Sequence, residues 1–224
     1  MKTGTGKVEE IFLDGSARIS CPPELIPAPG QYVLAHAHDS DSPLPVPLFS
    51  SFSSLQSGFR FAPPMPTFWQ PGQLLYLRGP IGHGFTLPAS SRKIALIAFD
   101  DVPARLLGLL AQALKQNAEV VLVTNSQVDD LPEIVEVQPL NGLSDALHWA
   151  DYAAMDVSRE GLPQLKEMLA GKEQLTAKVE AQVLVRAPMP CGALADCGVC
   201  ALSIEHDWKM ICKDGPVFRL KEIL

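Results

Sequence analysis

Apolar and polar positions alternate along the first eighty residues, in short segments that glycine and proline separate. A period of two is typical of strands with one buried face. The segments with this pattern are residues 7–13, 17–19, 31–36, 59–61 and 73–78. Asp14-Gly15 is a favourable turn between the first two, and the proline-rich stretch 39–47 predicts a surface loop. We therefore expect a small antiparallel β-barrel over residues 1–90.

The pattern changes after residue 90. Residues 93–99 and 119–124 are continuous apolar runs that suit buried parallel strands, and leucines recur at helical spacing over residues 103–116. Further strands are expected over 153–155 and 181–186, with a helix over 160–170. Alternating strands and helices predict a right-handed α/β module with a parallel sheet, spanning residues 91–187.

The last segment, residues 188–224, predicts a cysteine loop followed by a hairpin. Leu202 and Ile204 alternate with polar residues, and His206-Asp207 could form the turn. The returning strand would bring Cys212 back toward the loop. The fold class is thus α+β and multidomain, with a barrel, an α/β module and a C-terminal cysteine domain in that order.

Composition narrows the classes of function. The 224 residues carry a net charge of −7, which argues against nucleic-acid binding because that requires Lys and Arg to neutralise phosphates. No run of eighteen apolar residues occurs, so we expect no membrane span. An apolar leader is also missing, which predicts a reducing compartment, the cytoplasm, where disulfides are rare.

Four of the five cysteines are concentrated near the C-terminus with the spacing C-x5-C-x2-C-x11-C. They are Cys191, Cys197, Cys200 and Cys212. The first gap is one residue longer than in the plant-type run C-x4-C-x2-C that holds a [2Fe-2S] cluster. Small residues in the loop would let three thiolates converge, and the hairpin would supply the fourth. Four thiolates also suit structural zinc. The spacing favours an iron–sulfur cluster and leaves zinc open.

Four segments resemble the electron-transfer subunit of class B dihydroorotate dehydrogenase, within the ferredoxin-reductase-like flavoproteins. They are Pro-Gly-Gln-Tyr at 29–32, Gly-Pro-Ile-Gly-His-Gly-Phe at 79–85, Cys-Gly-Val-Cys at 197–200 and Cys-Lys-Asp-Gly-Pro-Val-Phe at 212–218. The resemblance implies that the four cysteines hold a [2Fe-2S] cluster, which relays electrons between FAD in this subunit and FMN in a catalytic subunit. Gly82, His83 and Gly84 are then weak candidates for the FAD side.

The flavin stretches depart from the family pattern. An Arg-x-Tyr/Phe-Ser motif normally reaches the flavin pyrophosphate, but residues 45–50 read Pro-Val-Pro-Leu-Phe-Ser with no basic residue. The second flavin stretch reads Pro-Pro-Met-Pro-Thr-Phe at 63–68, and proline has no N–H to offer a phosphate. Both departures argue against FAD.

The nicotinamide side departs further. A glycine-rich turn should follow the strand at 94–98, but the chain has Phe-Asp-Asp-Val-Pro at 99–103. Carboxylates there would repel a pyrophosphate. The family's Cys-Gly-Pro motif is also missing after the last strand, so NAD(P)H chemistry is not expected. Asp100 and Asp101 are instead expected to cap the following helix.

The leading hypothesis is a [2Fe-2S] electron-transfer subunit docked on a flavin-containing dehydrogenase, with a dihydroorotate dehydrogenase catalytic chain of pyrimidine biosynthesis as the expected partner. Such a chain is a component of an oxidoreductase complex, a hetero-oligomer, rather than a catalyst alone. Two alternatives remain: an FAD-containing, NADH-linked reductase with divergent motifs, and a zinc-binding structural or interaction subunit.

Overall fold

The N-terminal part of the computed structural model is a closed antiparallel barrel. Residues 1–54, 58–100, 102–128, 131–172, 176, 178–204 and 207–224 are described by the structure. The barrel strands are β1 (Lys2–Ile11), β2 (Ala17–Ser20), β3 (Tyr32–Ala37), β4 (Val46–Ser54), β5 (Gly58–Phe61) and β6 (Leu74–Ile81), in the order β1-β2-β5-β4-β3-β6. Closure leaves no free edge. The predicted barrel is confirmed.

The barrel contains one strand that alternation did not reveal. β4 starts inside the stretch expected to be a loop, at Val46, and four of its nine residues are serine. It pairs with β3 on one side and β5 on the other. Pairing on both sides satisfies its backbone, so the strand forms without a strongly apolar face.

The α/β module has a six-stranded sheet in the order β14-β11-β10-β7-β8-β9, in which β14 is the C-terminal strand Val217–Arg219. Its parallel strands are β7 (Lys93–Ala98), β8 (Glu119–Val123), β9 (Glu136–Gln138), β10 (Tyr152–Ser158) and β11 (Glu180–Arg186). Its helices are α1 (Leu107–Lys115), α2 (Leu143–Trp149) and α3 (Leu162–Leu169). The parallel sheet is confirmed. The first predicted helix begins with a separate 3-10 turn, Pro103–Arg105, and becomes α-helical at Leu107.

The C-terminal segment packs against both other parts. β12 (Ala201–Ile204) and β13 (Asp207–Met210) form the expected hairpin; residues 205 and 206, where the turn was expected to begin, lie outside the described residues. The short helix α4 (Ile211–Asp214) follows, then β14 (Val217–Arg219), which adds an antiparallel strand beside β11, and α5 (Leu220–Ile223).

One apolar cluster joins all three parts of the chain. It includes Tyr32 of the barrel, Val183 of the sheet, and Cys200, Cys212 and Phe218 of the C-terminal segment. The cysteine loop is therefore supported from two sides. The division at residues 90 and 187 stays a prediction. Among the described helices, none is both long enough and apolar enough to cross a membrane.

Candidate metal centre

The four C-terminal cysteines come together as two contacting pairs. Cys191 and Cys197 lie in the loop after β11, and their Sγ atoms are 3.4 Å apart. Cys200 precedes β12 and Cys212 is the second residue of α4. The β12–β13 pairing brings them together, and the Cys212 N–H donates to Cys200 Sγ at 3.4 Å. Two pairs of thiolates match the requirement of two bridged irons for two protein ligands each.

Exposure and thiol pKa differ between the two pairs. Cys200 and Cys212 are buried, at 1% and 2% exposure, whereas Cys191 is half-buried and Cys197 is exposed. Burial and the neighbouring thiol of Cys200 raise the pKa of Cys212 to about 12. Partial burial also acts to raise the pKa of Cys191, but hydrogen bonds with the backbone of Ala195 and Ala193 and with nearby thiols outweigh it and lower the pKa to about 7. Such hydrogen bonds favour the thiolate that binds a metal.

The loop reaches this shape through left-handed backbone conformations. Gly192, Ala193 and Gly198 have φ values of 48°, 65° and 74°. A Cβ at Gly192 would overlap the side chains of Leu34 and Arg78 on the barrel. Glycine is therefore needed at this position both for φ and for the close approach of the loop to the barrel.

The fifth cysteine is not part of the group. Cys21 packs against the barrel core, and burial followed by the charge of Glu24 raises the pKa of its thiol to about 11. All five cysteines are free thiols. In the described part of the chain, no three His, Cys, Asp or Glu side chains are arranged so that they could hold a single metal ion.

The predicted flavin-side turn contacts the cysteine segment. The His83 N–H donates to Gly215 O at 2.6 Å, and His83 Nδ1 lies 3.0 Å from Asp214 O. Gln31 Nε2 donates to Gly82 O at 3.0 Å, and a Cβ at Gly84 would lie 2.6 Å from Pro29 O. These contacts give the turn a structural part in joining the barrel to the segment after Cys212; a role toward FAD stays a prediction.

The prediction that Asp100 caps the following helix is wrong. Its carboxylate accepts hydrogen bonds from the Ser158 backbone N–H at 2.9 Å and from the Ser158 hydroxyl, and it pairs with the Arg186 guanidinium. The cap position of the 3-10 turn is Val102, which makes no side-chain cap. Asp100 instead lies at the carboxyl ends of β10 and β11, where the Arg186 guanidinium is its cationic partner. Asp101 lies outside the described residues.

A buried ion-pair network occupies the same end of the sheet. Asp156 is 1% exposed and pairs with Arg186 Nε at 2.6 Å and Arg105 Nη1 at 3.2 Å. Arg105 also donates to Pro63 O of the barrel at 2.9 Å. Burial raises the pKa of Asp156, and the two guanidinium groups oppose that rise. Sequence reasoning missed this network, although a single charge within the apolar run of β10 is a signal for it.

The sequence departures from the family's NAD(P)H and FAD motifs fall in two places of the structure. Open α/β sheets bind dinucleotides at the carboxyl ends of their strands, where Asp100 and its partners lie here. On the barrel side, Pro47 stands where the family has Arg. Helix α1 packs directly against this region, since a Cβ at Gly108 would lie 3.1 Å from Pro29 Cγ and 3.7 Å from Ser51 O. We derive no step through either group.

A barrel followed by a parallel-sheet module is the fold of the ferredoxin reductases. A solved chain of an NADH-dependent reduced ferredoxin-NADP oxidoreductase, from work on flavin-based electron bifurcation, has a TM-score of 0.75 at 18% identity, covering 97% of this chain and 88% of that one. A ferredoxin reductase of carbazole 1,9a-dioxygenase has a TM-score of 0.60 at 16% identity, with 81% and 68% covered. A ferredoxin-NADP⁺ reductase from Neisseria gonorrhoeae, solved with FAD and NADP, has 0.55 at 14% identity, with 75% and 91% covered.

The C-terminal cysteine segment matches a more specific protein family than the fold does. Residues 188–224 match the family model of the iron–sulfur cluster binding domain of dihydroorotate dehydrogenase B. The match includes all four grouped cysteines, and together with the fold it confirms the resemblance to the electron-transfer subunit of that enzyme. No curated protein matches the chain by sequence.

Proposed function

We propose that this chain is an electron-transfer subunit whose four cysteines, Cys191, Cys197, Cys200 and Cys212, hold a [2Fe-2S] cluster. The observation that carries the proposal is the pairing of four thiols inside a segment that matches an iron–sulfur binding family. When bound, such a cluster takes up and gives up one electron at a time. The chain's own residues bind the irons, limit access of water on the Cys200–Cys212 side and leave the Cys197 side open.

The proposed partner is a dihydroorotate dehydrogenase catalytic subunit of pyrimidine biosynthesis that contains flavin. The name of the matching family supports this choice. The two chains would form a hetero-oligomer in which the dehydrogenase oxidises its substrate and this chain relays the electrons. We place the complex in the cytoplasm, a reducing compartment in which cysteines stay available as cluster ligands.

The surface beside the exposed cysteine supports docking of that partner. Leu194 is 67% exposed, Trp208 is 71% exposed, and Val199 is also exposed. These side chains belong to the cysteine loop and the adjoining hairpin, so a protein that covers them comes close to Cys197. Exposed aromatic and aliphatic side chains of this kind are typical anchors of protein interfaces.

The proposal excludes a flavin and a nicotinamide site from this chain. Its support is the lack of a basic residue over residues 45–50, the lack of a glycine-rich turn after β7, and the direct packing of α1 on the barrel. The Neisseria reductase of the same fold was solved with FAD and NADP, so an FAD-containing, NADH-linked reductase is the alternative that the experiment must distinguish.

The test is reduction of the purified chain under anaerobic conditions, followed by electron paramagnetic resonance (EPR). With a dihydroorotate dehydrogenase catalytic subunit and dihydroorotate present, we expect the signal of a reduced [2Fe-2S] cluster. NADH alone should leave the cluster oxidised. Reduction by NADH without the catalytic subunit would favour the reductase alternative, and failure of dihydroorotate to reduce the cluster would contradict the proposed partner.

A further inference from the structure

Three side chains from outside the cysteine segment donate hydrogen bonds to its main-chain carbonyls. Arg78 Nη2 of β6 donates to Cys191 O at 2.8 Å, Arg159 Nη1 after β10 donates to Val199 O at 2.7 Å, and Tyr32 Oη of β3 donates to Cys212 O at 3.3 Å. Each carbonyl belongs to a predicted ligand or to the residue before one. These three hydrogen bonds, called the ties below, therefore fix the backbone at Cys191, Cys200 and Cys212.

We propose that Arg78, Arg159 and Tyr32 are positioning residues that hold the cluster loop in its binding shape, and that Arg78 also raises the reduction potential of the cluster. This inference rests on the proposed function, because it requires that the cysteines hold an iron–sulfur cluster. Residues that orient metal ligands act in this way in other metal sites and influence affinity and potential.

The ties connect the cysteine loop to two different parts of the fold, the barrel and the α/β sheet. Arg78 and Tyr32 belong to the barrel, whereas Arg159 follows a strand of the α/β sheet. A loop with left-handed φ values at Gly192 and Ala193 gains little rigidity from regular secondary structure. External hydrogen bonds from packed elements supply that rigidity, so the thiols stay close together before the irons bind.

Arg78 acts through charge as well as through geometry. Its guanidinium is bonded to the main chain of Cys191 and contacts Met1 Sδ at 3.3 Å through Nη1. A cluster held by four thiolates carries a net negative charge that increases on reduction. A nearby cation stabilises the reduced form more than the oxidised form, so removing it should lower the potential.

The experiment compares Arg78→Met, Arg159→Met and Tyr32→Phe with Arg18→Met as a matched control. Arg18 is an exposed barrel arginine paired with Glu10, on β2, which pairs with β1 and β5 and not with the strands of Tyr32 and Arg78. We expect each of the three variants to lose iron to a chelator about 10- to 100-fold faster than wild type. The control should lose iron at the wild-type rate.

The reduction potential of the cluster distinguishes a specific role of Arg78 from a general destabilisation of the protein. Arg78→Met should shift the one-electron reduction equilibrium about tenfold toward the oxidised form, which is a potential about 59 mV lower. Arg78→Lys keeps the charge but not the planar geometry of the guanidinium, so its potential should remain near wild type while its iron loss is intermediate.

The outcomes are distinguishable. A wild-type chain that binds no cluster contradicts the proposed function itself. A wild-type chain with a cluster whose release and potential are unchanged in Arg78→Met and Arg159→Met overturns the inference alone. If Arg78→Met does not fold, Arg78→Lys and Tyr32→Phe provide the test. Iron loss at the wild-type rate in both of these variants would overturn the inference.

Discussion

Cys197 lies at the solvent-exposed side of the four-thiol group, and Cys200 and Cys212 lie at its buried side. The longer first gap, residues 192–196, is accommodated because Gly192 and Ala193 adopt left-handed conformations and bring Cys191 Sγ within 3.4 Å of Cys197 Sγ. The extra residue relative to the plant-type spacing is thus compatible with ligation by Cys191.

Each of the four grouped cysteines should be required for the cluster. Replacing Cys191, Cys197, Cys200 or Cys212 singly with serine should remove most of the visible absorbance and iron of the purified protein, because each thiolate supplies one of four iron bonds. Cys21→Ser is the matched control, since Cys21 packs in the barrel, and it should retain full iron content. A grouped variant with the full wild-type spectrum would show that its cysteine is not a ligand.

Replacing Gly192 should lower the iron content of the protein, whereas replacing Gly72 should not. Both have positive φ, but a Cβ at Gly192 would overlap Leu34 and Arg78, whereas a Cβ at Gly72 meets nothing within 4 Å. Either alanine variant costs about 1–2 kcal/mol of backbone strain. Gly192→Ala should in addition displace the loop and lower the iron content, measured after anaerobic purification. Equal iron content in Gly192→Ala and Gly72→Ala would contradict the close approach.

The elements of the fold follow from the sequence to different degrees. Continuous apolar runs predicted β7 and β8, because a strand that is buried on both faces has apolar residues at nearly every position. β4 and the short edge strand β9 were missed, since a serine-rich strand is stabilised by its neighbours and a three-residue edge strand has no period to detect. The ties of Arg78 and Arg159 to the loop join residues far apart in sequence, so no local pattern reveals them.

Breaking the ion-pair network between β10, β11 and the 3-10 turn should be strongly destabilising, because it leaves a buried carboxylate with less compensation. Arg105→Met would leave the buried Asp156 with Arg186 as its remaining cation and would remove the hydrogen bond to Pro63 O. We expect a loss of about 3 kcal/mol in the free energy of unfolding, at the lower end of the range for breaking a buried pair. Urea titration measures this loss.

Arg18→Met is the control for this element as well, because its pair with Glu10 is exposed. A surface change of this type alters the free energy of unfolding by about 0.5 kcal/mol or less. If Arg105→Met loses no more stability than Arg18→Met, the network does not have the structural role assigned to it.

At the scale of the whole molecule, the chain has the ferredoxin-reductase fold, and its sequence departs from the dinucleotide motifs of that family. The sequence shows these departures in residues 45–50, which have no basic side chain, and in the absence of a glycine-rich turn after β7. It could not predict that Asp100 would bond to Ser158 and Arg186, because that arrangement depends on how the carboxyl ends of three strands meet. Under the proposed function, electron entry and exit both depend on other proteins.

Docking at the exposed edge of the cysteine loop should depend on Trp208. Trp208→Glu places a charge on the proposed interface, so the rate at which the reduced catalytic subunit transfers electrons to the cluster should fall about tenfold or more. Stopped-flow absorbance measures this rate. Tyr76→Glu is the control, an exposed aromatic on the outer face of the barrel, and should keep the wild-type rate. Unchanged transfer in Trp208→Glu, with an intact cluster spectrum, would contradict docking at this edge.

The most direct test of the central claim is anaerobic purification of the chain, followed by its visible spectrum and its content of iron, acid-labile sulfide, zinc and flavin. The account predicts two irons and two sulfides per chain, the absorbance of an oxidised [2Fe-2S] cluster and no flavin. A colourless protein with one zinc per chain would contradict the electron-transfer function, and stoichiometric FAD would contradict the claim that this chain carries no flavin of its own.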